Sequence, residues 1–282
     1  MGERPSPLPQ ITALPLVTPI EVLPQMTALA QTPAVVNGTL ESRATAQPLA
    51  REITAIMSRG SGPAWIGYAV PVNRRDSQDG CWTSGDSIGR TRVGPVKLEG
   101  SDSIFVLYRI ADGNVQRIRI ASPECPLDTD GLTLHWLTGV RPEDSVDWLS
   151  TLATGDSSRR LANNATMAMA LHASPQATDR LIALARNGKN GDVRGTALFW
   201  IAQRAGDKAV GTITQALEDP ETEVRKKAVF ALSQLPKDEG VPKLIEVARA
   251  HRDAAVRKQA MFWLGQSRDP RALTFFEQIL TQ

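Results

Sequence analysis

Apolar residues recur along the second half of the chain at a spacing that suits a helix. Val193, Ala197 and Ile201, then Val224, Ala228 and Leu232, then Val256, Ala260 and Leu264 take positions 0, +4 and +8 of successive segments. Each trio falls on one helical face. The segments start at Leu161, Val193, Val224 and Val256, so the starts differ by 32, 31 and 32 residues. The small residue at +4 predicts that another helix approaches closely there. A preceding helix is marked in each unit by Leu181 and Leu184, by Ile213 and Leu217, or by Leu244, Ile245 and Val247. Gly188, Gly191, Asp219-Pro220 and Asp269-Pro270 punctuate the pattern. A single helix pair cannot bury its own apolar surface, so stacking must create the core. The spacing predicts an all-α solenoid over residues 144–282.

The front of the chain follows other rules. Residues 1–47 are rich in Pro, Thr, Ala and Gln, with prolines at 5, 7, 9, 15, 19, 24 and 33. Prolines at this density remove backbone donors and fix extended dihedrals, which predicts a disordered, polyproline-like arm. Such an arm suits a mature exported protein held away from a membrane or wall, or it is a plain tail. From residue 48 the pattern changes. Leu49, Ile53, Ile56 and Met57 sit at helical spacing before Gly60. Strands are predicted at 64–72, 103–110, 114–120 and 132–137. Asp112-Gly113 between the second and third supplies the positive φ of a tight hairpin. Residues 48–140 thus read as a small α+β domain with a Gly, Ser and Asp-rich loop over 73–102. The fold class is α+β, a small N-terminal domain followed by the solenoid.

Charge narrows the function. The chain carries 32 basic and 30 acidic residues for a net charge of +2. Residues 1–144 hold 13 basic and 15 acidic side chains and residues 145–282 hold 19 and 15, so the repeat half is only about +4. That balance argues against affinity built mainly on phosphate neutralisation. No apolar run approaches the roughly 20 residues of a membrane span. Met1 to Leu16 lacks the charged and apolar regions of a signal peptide. A periplasmic or secreted protein whose signal was removed is expected, with the cytoplasm as the alternative.

Asp192-Val-Arg194 and Glu223-Val-Arg225, each followed by Ala at +4 and an apolar residue at +8, resemble the bacterial HEAT repeat. The short period resembles the subclass called phycobilisome-lyase-like HEAT repeats. The turn motif of ankyrin repeats and the Trp, Gly and Tyr positions of tetratricopeptide repeats are absent. The first unit has Asn163-Asn164 in the arginine region, as expected of a terminal capping repeat. The segment from Gly62-Pro-Ala-Trp-Ile-Gly-Tyr68 to Leu134-His-Trp-Leu-Thr-Gly139 resembles the N-terminal region of uncharacterised bacterial exported HEAT-repeat proteins. That resemblance implies no activity.

HEAT proteins that are enzymes suggest signatures to look for. Deoxyhypusine hydroxylase holds two irons on paired His-Glu steps, whereas His135, His172 and His251 each lack an adjacent Glu. A DNA glycosylase of this kind needs a strongly basic face with central aromatic and acidic side chains. Trp200 and Trp263, at +7, read either as packing beside the core or as such a face. Arg194, Arg225 and Arg257 at +1 read as an inter-repeat ion-pair ladder, and Phe199, Phe230 and Phe262 at +6 as contacts between stacked pairs. Nothing resembles a chromophore site of bilin lyases. Cys81 and Cys125 are the only cysteines, enclose about 45 residues, and lack a C-x-x-C motif. They read as a disulfide, with inert thiols or a catalytic pairing with His135 as alternatives. Asp128, Asp130 and Gly131 form an acidic turn without the ligand spacing of a calcium loop.

No catalytic, metal or cofactor site is therefore expected. The expected function is a non-enzymatic interaction scaffold for a protein partner, met by Arg204, Lys227 and Gln259 on the second helices. The alternatives are nucleic-acid binding through the concave face and an enzyme hidden in the first domain.

Overall fold

The structure is a computed structural model that describes residues 32–60, 62–72, 102–155, 158–204 and 207–281. The chain divides into two compact units, residues 1–30 and 31–282, and every described residue lies in the second. The strands are β1 (Val35–Val36), β2 (Thr39–Ala44), β3 (Ala64–Pro71), β4 (Ser103–Ala111), β5 (Asn114–Ala121), β6 (Leu127–Asp128) and β7 (Thr133–Thr138). The first helix, α1 (Leu49–Arg59), lies between β2 and β3. Five strands form one mixed sheet in the order β2-β7-β3-β4-β5. β2 and β3 run parallel to β7, and β4 is antiparallel to β3 and β5. β1 and β6 pair separately, in parallel. The β4–β5 turn uses the left-handed region at both Asp112 and Gly113, with φ of 52° and 68°, as the Asp-Gly signal predicts.

β1 and β2 both lie inside residues 1–47, the segment read from the sequence as a Pro-rich arm, so that reading does not hold for residues 35–44. Thr39-Leu-Glu-Ser-Arg-Ala44 has one large apolar side chain, Leu40, and no alternation. Its strand character comes from backbone pairing in register with Thr133 to Thr138 of β7. Charged side chains on an edge strand also protect it from further pairing. Arg43 is held from α1 by Glu52, whose Oε2 accepts from Nη2 at 2.7 Å, while Glu52 Oε1 accepts the Ala46 N–H at 3.2 Å.

The helical part contains α2 (Pro142–Thr154), α3 (Arg159–Leu171), α4 (Pro175–Asn187), α5 (Gly191–Arg204) and α6 (Asp207–Ala216). It continues through α7 (Thr222–Gln234), α8 (Lys237–Ala250), α9 (Ala254–Ser267) and α10 (Pro270–Leu280). α2, α4, α6 and α8 pair with α3, α5, α7 and α9 respectively, and α10 follows as a further first helix. The second helices α3, α5, α7 and α9 pack side by side. The expected core positions are buried: Val193, Ala197, Ile201, Val224, Ala228, Leu232, Val256, Ala260 and Leu264 are each at most 1% exposed.

The boundary near residue 140 is not a linker. One face of the sheet carries Ile66, Tyr68, Val70, Val106, Tyr108, Ile110 and Ile118, in the same apolar cluster as Val146, Leu149, Leu161 and Ala165 of α2 and α3. The core is continuous from sheet to stack. The sheet's other face buries Trp65, Phe105, Leu107, Leu134 and Trp136. Gly67 lies on that face because a Cβ there would meet Leu107 Cδ2 at 2.5 Å and the Trp136 ring at 3.0 Å. In the first unit α3 packs against β5 as well as against α5. Sheet, not solvent, covers that end of the stack.

Candidate interaction surface

The +1 arginines bind forward. Arg194 of α5 donates from Nε and Nη2 to the two carboxylate oxygens of Asp219, both at 2.8 Å, and from Nη2 to Glu221 at 2.9 Å. Arg225 of α7 pairs with Asp253, the N-cap of α9, and donates to the Asp219 carbonyl at 2.7 Å. Each rung joins one second helix to the acid at the start of the next. Burial pushes the Asp219 carboxyl up, but the Arg194 fork and the Glu221 N–H outweigh it and hold the group below its usual range. The ladder thus belongs to the packing of the stack.

The +6 phenylalanines also bind forward. Phe199 stacks on Phe230 with parallel rings 5.8 Å apart, and Phe230 lies 4.9 Å from the Trp263 ring of α9. Trp200 and Phe262 extend the row edge-on, each 5.0 Å from the aromatic beside it in sequence. Phe199, Phe230, Trp200 and Trp263 are half-buried and Phe262 is exposed. The expected contact between stacked pairs is present, and the row it forms across three helices is exposed at Phe262. Beside it, at +10, stand Gln203, Gln234 and Gln266, of which the first and last are exposed.

The three residues expected to meet a partner are not brought together as one free patch. Lys227 is half-buried, and its Nζ donates to Asp192 Oδ1 of α5 at 2.9 Å. Its stem crosses Gly195 so closely that a Cβ there would fall 2.0 Å from Lys227 Cδ. Arg204 donates from Nη2 to the His172 carbonyl at 2.7 Å, tying the end of α5 to the end of α3. Both are stack contacts because long cationic side chains reach the neighbouring unit's acceptors. Gln259 is half-exposed at +3 of α9. Arg204 stands at +11, about 12 Å along the helix axis from a +3 position.

Sequence reasoning missed a buried polar chain at the junction of sheet and stack. The Tyr108 and Tyr68 hydroxyls are 2.6 Å apart, Tyr68 is 2.6 Å from Ser145 Oγ of α2, and Ser145 Oγ is 2.7 Å from His172 Nε2. His172 Nδ1 is 2.8 Å from the Ala168 carbonyl. A carbonyl only accepts, so Nδ1 carries the proton and Nε2 accepts from Ser145. The order then propagates: Tyr108 donates to Tyr68, Tyr68 to Ser145, and Ser145 to His172. All four side chains are fully buried. Burial pushes both phenols up and the His172 imidazole down to about 4, with the nearby Arg204 charge adding to the latter. The chain is neutral and closed to substrate, and it links β3, β4, α2 and the end of α3. No sequence spacing relates these four positions.

His135 Nδ1 lies 3.1 Å from Glu41 on the adjacent strand, beside an open cleft of about 470 Å³. His251 Nε2 is 3.0 Å from the Leu217 carbonyl and its Nδ1 accepts the Asp253 N–H. Asp128 Oδ1 accepts from Asn37 Nδ2 and from the Asp130 N–H, with Asp130 and Gly131 at positive φ, so the acidic turn is held by its own backbone and by the Asn37 side chain. Among the described residues, no three His, Cys, Asp or Glu side chains converge as metal ligands. Cys125 is buried, and Cys81 lies outside the described residues. Among the described residues, no helix is long and apolar enough to cross a membrane.

Residues 178–250 and 210–282 match the family model described as HEAT repeats. No curated protein matches the chain. Among solved structures, the chain is similar to YibA of Escherichia coli, at 22% identity and a TM-score of 0.35, over 46% of this chain and 50% of YibA. The chain therefore spans about half of that protein's length. It is also similar to the complex of CpcE and CpcF of phycocyanin lyase from Nostoc sp. PCC7120, at 21% identity and a TM-score of 0.33, over 44% of this chain and 90% of that one. An engineered protein matches at 18% identity and a TM-score of 0.25, over 45% and 74%. The helical part is a HEAT-type solenoid joined to an α+β sheet.

Proposed function

We propose that the protein is a non-enzymatic scaffold that binds a protein partner along the lateral face of its second helices. One observation carries the reading: the aromatic row from Trp200 through Phe199, Phe230 and Trp263 to Phe262 is continuous across α5, α7 and α9. Stacking alone creates such a surface, since no single repeat has it. Half-exposed rings provide large contact area at low entropic cost. The flanking glutamines can donate and accept hydrogen bonds along a partner's backbone. The nearly balanced charge speaks against nucleic acid as the partner. In the same reading the protein is exported, and Cys81 and Cys125 are joined there.

Photo-crosslinking tests the assignment. A photoreactive residue at Gln203 or Gln234 should capture the partner, and one at Gln116 on the β4–β5 hairpin should not. Capture from Gln116 alone would transfer the binding role to the sheet. A steep loss of binding with added salt would point to phosphate contacts instead.

A further inference from the structure

We propose that the lateral face of α5, α7 and α9 takes an uncharged, proline-rich segment of another protein in the polyproline II conformation, one turn of the segment to each repeat. The proposal rests on the reading of that face as the partner surface, and it names the chemistry of the partner.

Spacing selects the conformation. α5, α7 and α9 pack side by side, so an equivalent position recurs once per helix spacing, about 8–10 Å. The +10 glutamines, Gln203, Gln234 and Gln266, mark that interval along one edge of the face. A polyproline II helix has three residues per turn and rises about 3.1 Å per residue, so one side of it returns every ~9 Å. An α-helix returns every ~5.4 Å and a strand every ~6.6 Å. Neither keeps step with the repeats.

The rings select the side chains. Phe199 and Phe230 stack with parallel rings 5.8 Å apart, and Phe230 lies 4.9 Å from Trp263 at 40°. All three are half-buried, so the stack fixes each ring and leaves part of it uncovered. Towards α3 the floor continues with Met167 at +6, also half-buried. Proline suits such a floor because its ring is apolar and has no side-chain rotamer freedom left to lose.

The amides select the backbone. A polyproline II segment makes no internal hydrogen bonds, so its carbonyls stay available, and its prolines have no N–H to satisfy. Carboxamides can donate to those carbonyls. Gln203 and Gln266 are exposed, and Gln234 gives one N–H to Ser233 Oγ at 3.0 Å and keeps its second.

Charge speaks against an acidic or phosphorylated segment. Lys226 pairs with Glu223 at 2.8 Å, Lys227 pairs with Asp192 at 2.9 Å, and Arg204 donates to the His172 carbonyl at 2.7 Å. The cations beside the row on α5 and α7 thus already have acceptors inside the protein. An anionic segment would have to compete with those acceptors, and a neutral one would not.

The probe is a fluorescent peptide of nine prolines, three turns long, added to the full chain and followed by anisotropy. Saturation below about 1 mM is expected, with affinity at least about tenfold higher than for three prolines. A Gly-Ser peptide of equal length should not saturate. Phe230→Ala should weaken binding at least about tenfold, and Gln203→Ala with Gln266→Ala about fivefold. The two glutamines are exposed, so the second variant keeps the fold even if Phe230→Ala loosens the stack; circular dichroism melts check both. Lys258→Gln on α9, or a roughly tenfold rise in salt, should change affinity by less than about twofold. No saturation by the proline peptide would overturn the proposal, as would equal binding of the Gly-Ser peptide or indifference to both sets of variants. A large loss with Lys258→Gln or with salt would overturn it in favour of an acidic segment. A dimer in sedimentation that Phe230→Ala splits would overturn it in favour of a second copy. Partner capture from Gln203 or Gln234 without proline-peptide binding would remove the proline-rich partner and leave the lateral face standing, whereas failure of both would remove both.

Discussion

Arg194 holds Asp219 with both sides of its guanidinium, Nε to Oδ2 and Nη2 to Oδ1 at 2.8 Å each, and each side chain is only 9% exposed. Planar guanidinium and planar carboxylate match in shape, so the pair fixes orientation as well as distance. It fixes the angle at which α7 follows α5.

Arg194→Ala should therefore destabilise the stack by about 2–4 kcal/mol, because a largely buried carboxylate loses both guanidinium hydrogen bonds and keeps the Glu221 N–H. Arg225→Ala acts at the next rung, where the side chains are more exposed at 13% and 20%, and should cost less. Urea unfolding monitored by helical signal measures both. Equal, negligible losses would mean that the rungs decorate a stack held by apolar contact alone.

His172 sets a pH dependence. Its buried imidazole has its pKa lowered to about 4 from the ordinary 6.5, so the unfolded chain binds the extra proton first as the pH falls. Stability associated with the neutral ring is fully present above pH 6.5 and is lost progressively as the pH drops toward 4. The total is roughly 3 kcal/mol. Protonation also gives Nε2 a hydrogen that opposes the Ser145 hydroxyl and reverses the Tyr108–Tyr68–Ser145 order. His172→Gln should lower stability at pH 7 and flatten the slope between pH 6.5 and 4. A variant that retains the wild-type slope would assign the acid sensitivity elsewhere.

Ala228 is fully buried between packed helices, so Ala228→Leu should overpack the stack and cost about 1–3 kcal/mol. A melting temperature equal to that of the wild type would show that α7 can rotate or shift to make room.

Much of the stack was legible because its units repeat. Val193, Val224 and Val256 announce the period, and each +4 alanine announces a close helix. The hairpin was legible for a local reason, the positive φ of Asp112 and Gly113. β2 was not, because its strand character comes from β7, about ninety residues away, and not from its own alternation. The polar chain was invisible for the same reason. Tyr68, Tyr108, Ser145 and His172 meet only when sheet and stack share a core. At the interaction surface, residue type alone suggested that Lys227 and Arg204 would be free. Gly195 was the missing signal, since a glycine within an apolar helical repeat leaves room for a neighbouring stem.

The cysteine pair makes a chemical prediction. Cys125 is buried, and Cys81 lies outside the described residues. Thiol titration of unfolded, unreduced protein should find no free thiol. Reduction should then lower stability by at most about 4 kcal/mol, the chain-entropy value for a loop of roughly 45 residues. Two titratable thiols without reductant would remove the support that a disulfide lends to an exported location.

Lys227 supplies the last prediction. Its ammonium is bonded to Asp192, which also pairs with Arg159 at 2.9 Å, so one carboxylate of α5 connects α3 and α7. The Lys227 hydrogen bond, together with both cationic charges, holds Asp192 below the usual carboxylate range. Charge reversal, Lys227→Glu, sets two carboxylates against each other across Gly195 and should lower stability by about 1 kcal/mol, a partly solvated effect. Gln259→Glu, at the same +3 position on α9, removes no described ion pair and should stay within about 0.5 kcal/mol. The contrast separates packing from recognition. If both variants weaken partner capture but only Lys227→Glu lowers the melting temperature, +3 is a contact position in its own right. If capture falls only where stability falls, Lys227 acts through the stack, and recognition rests on the aromatic row and its glutamines.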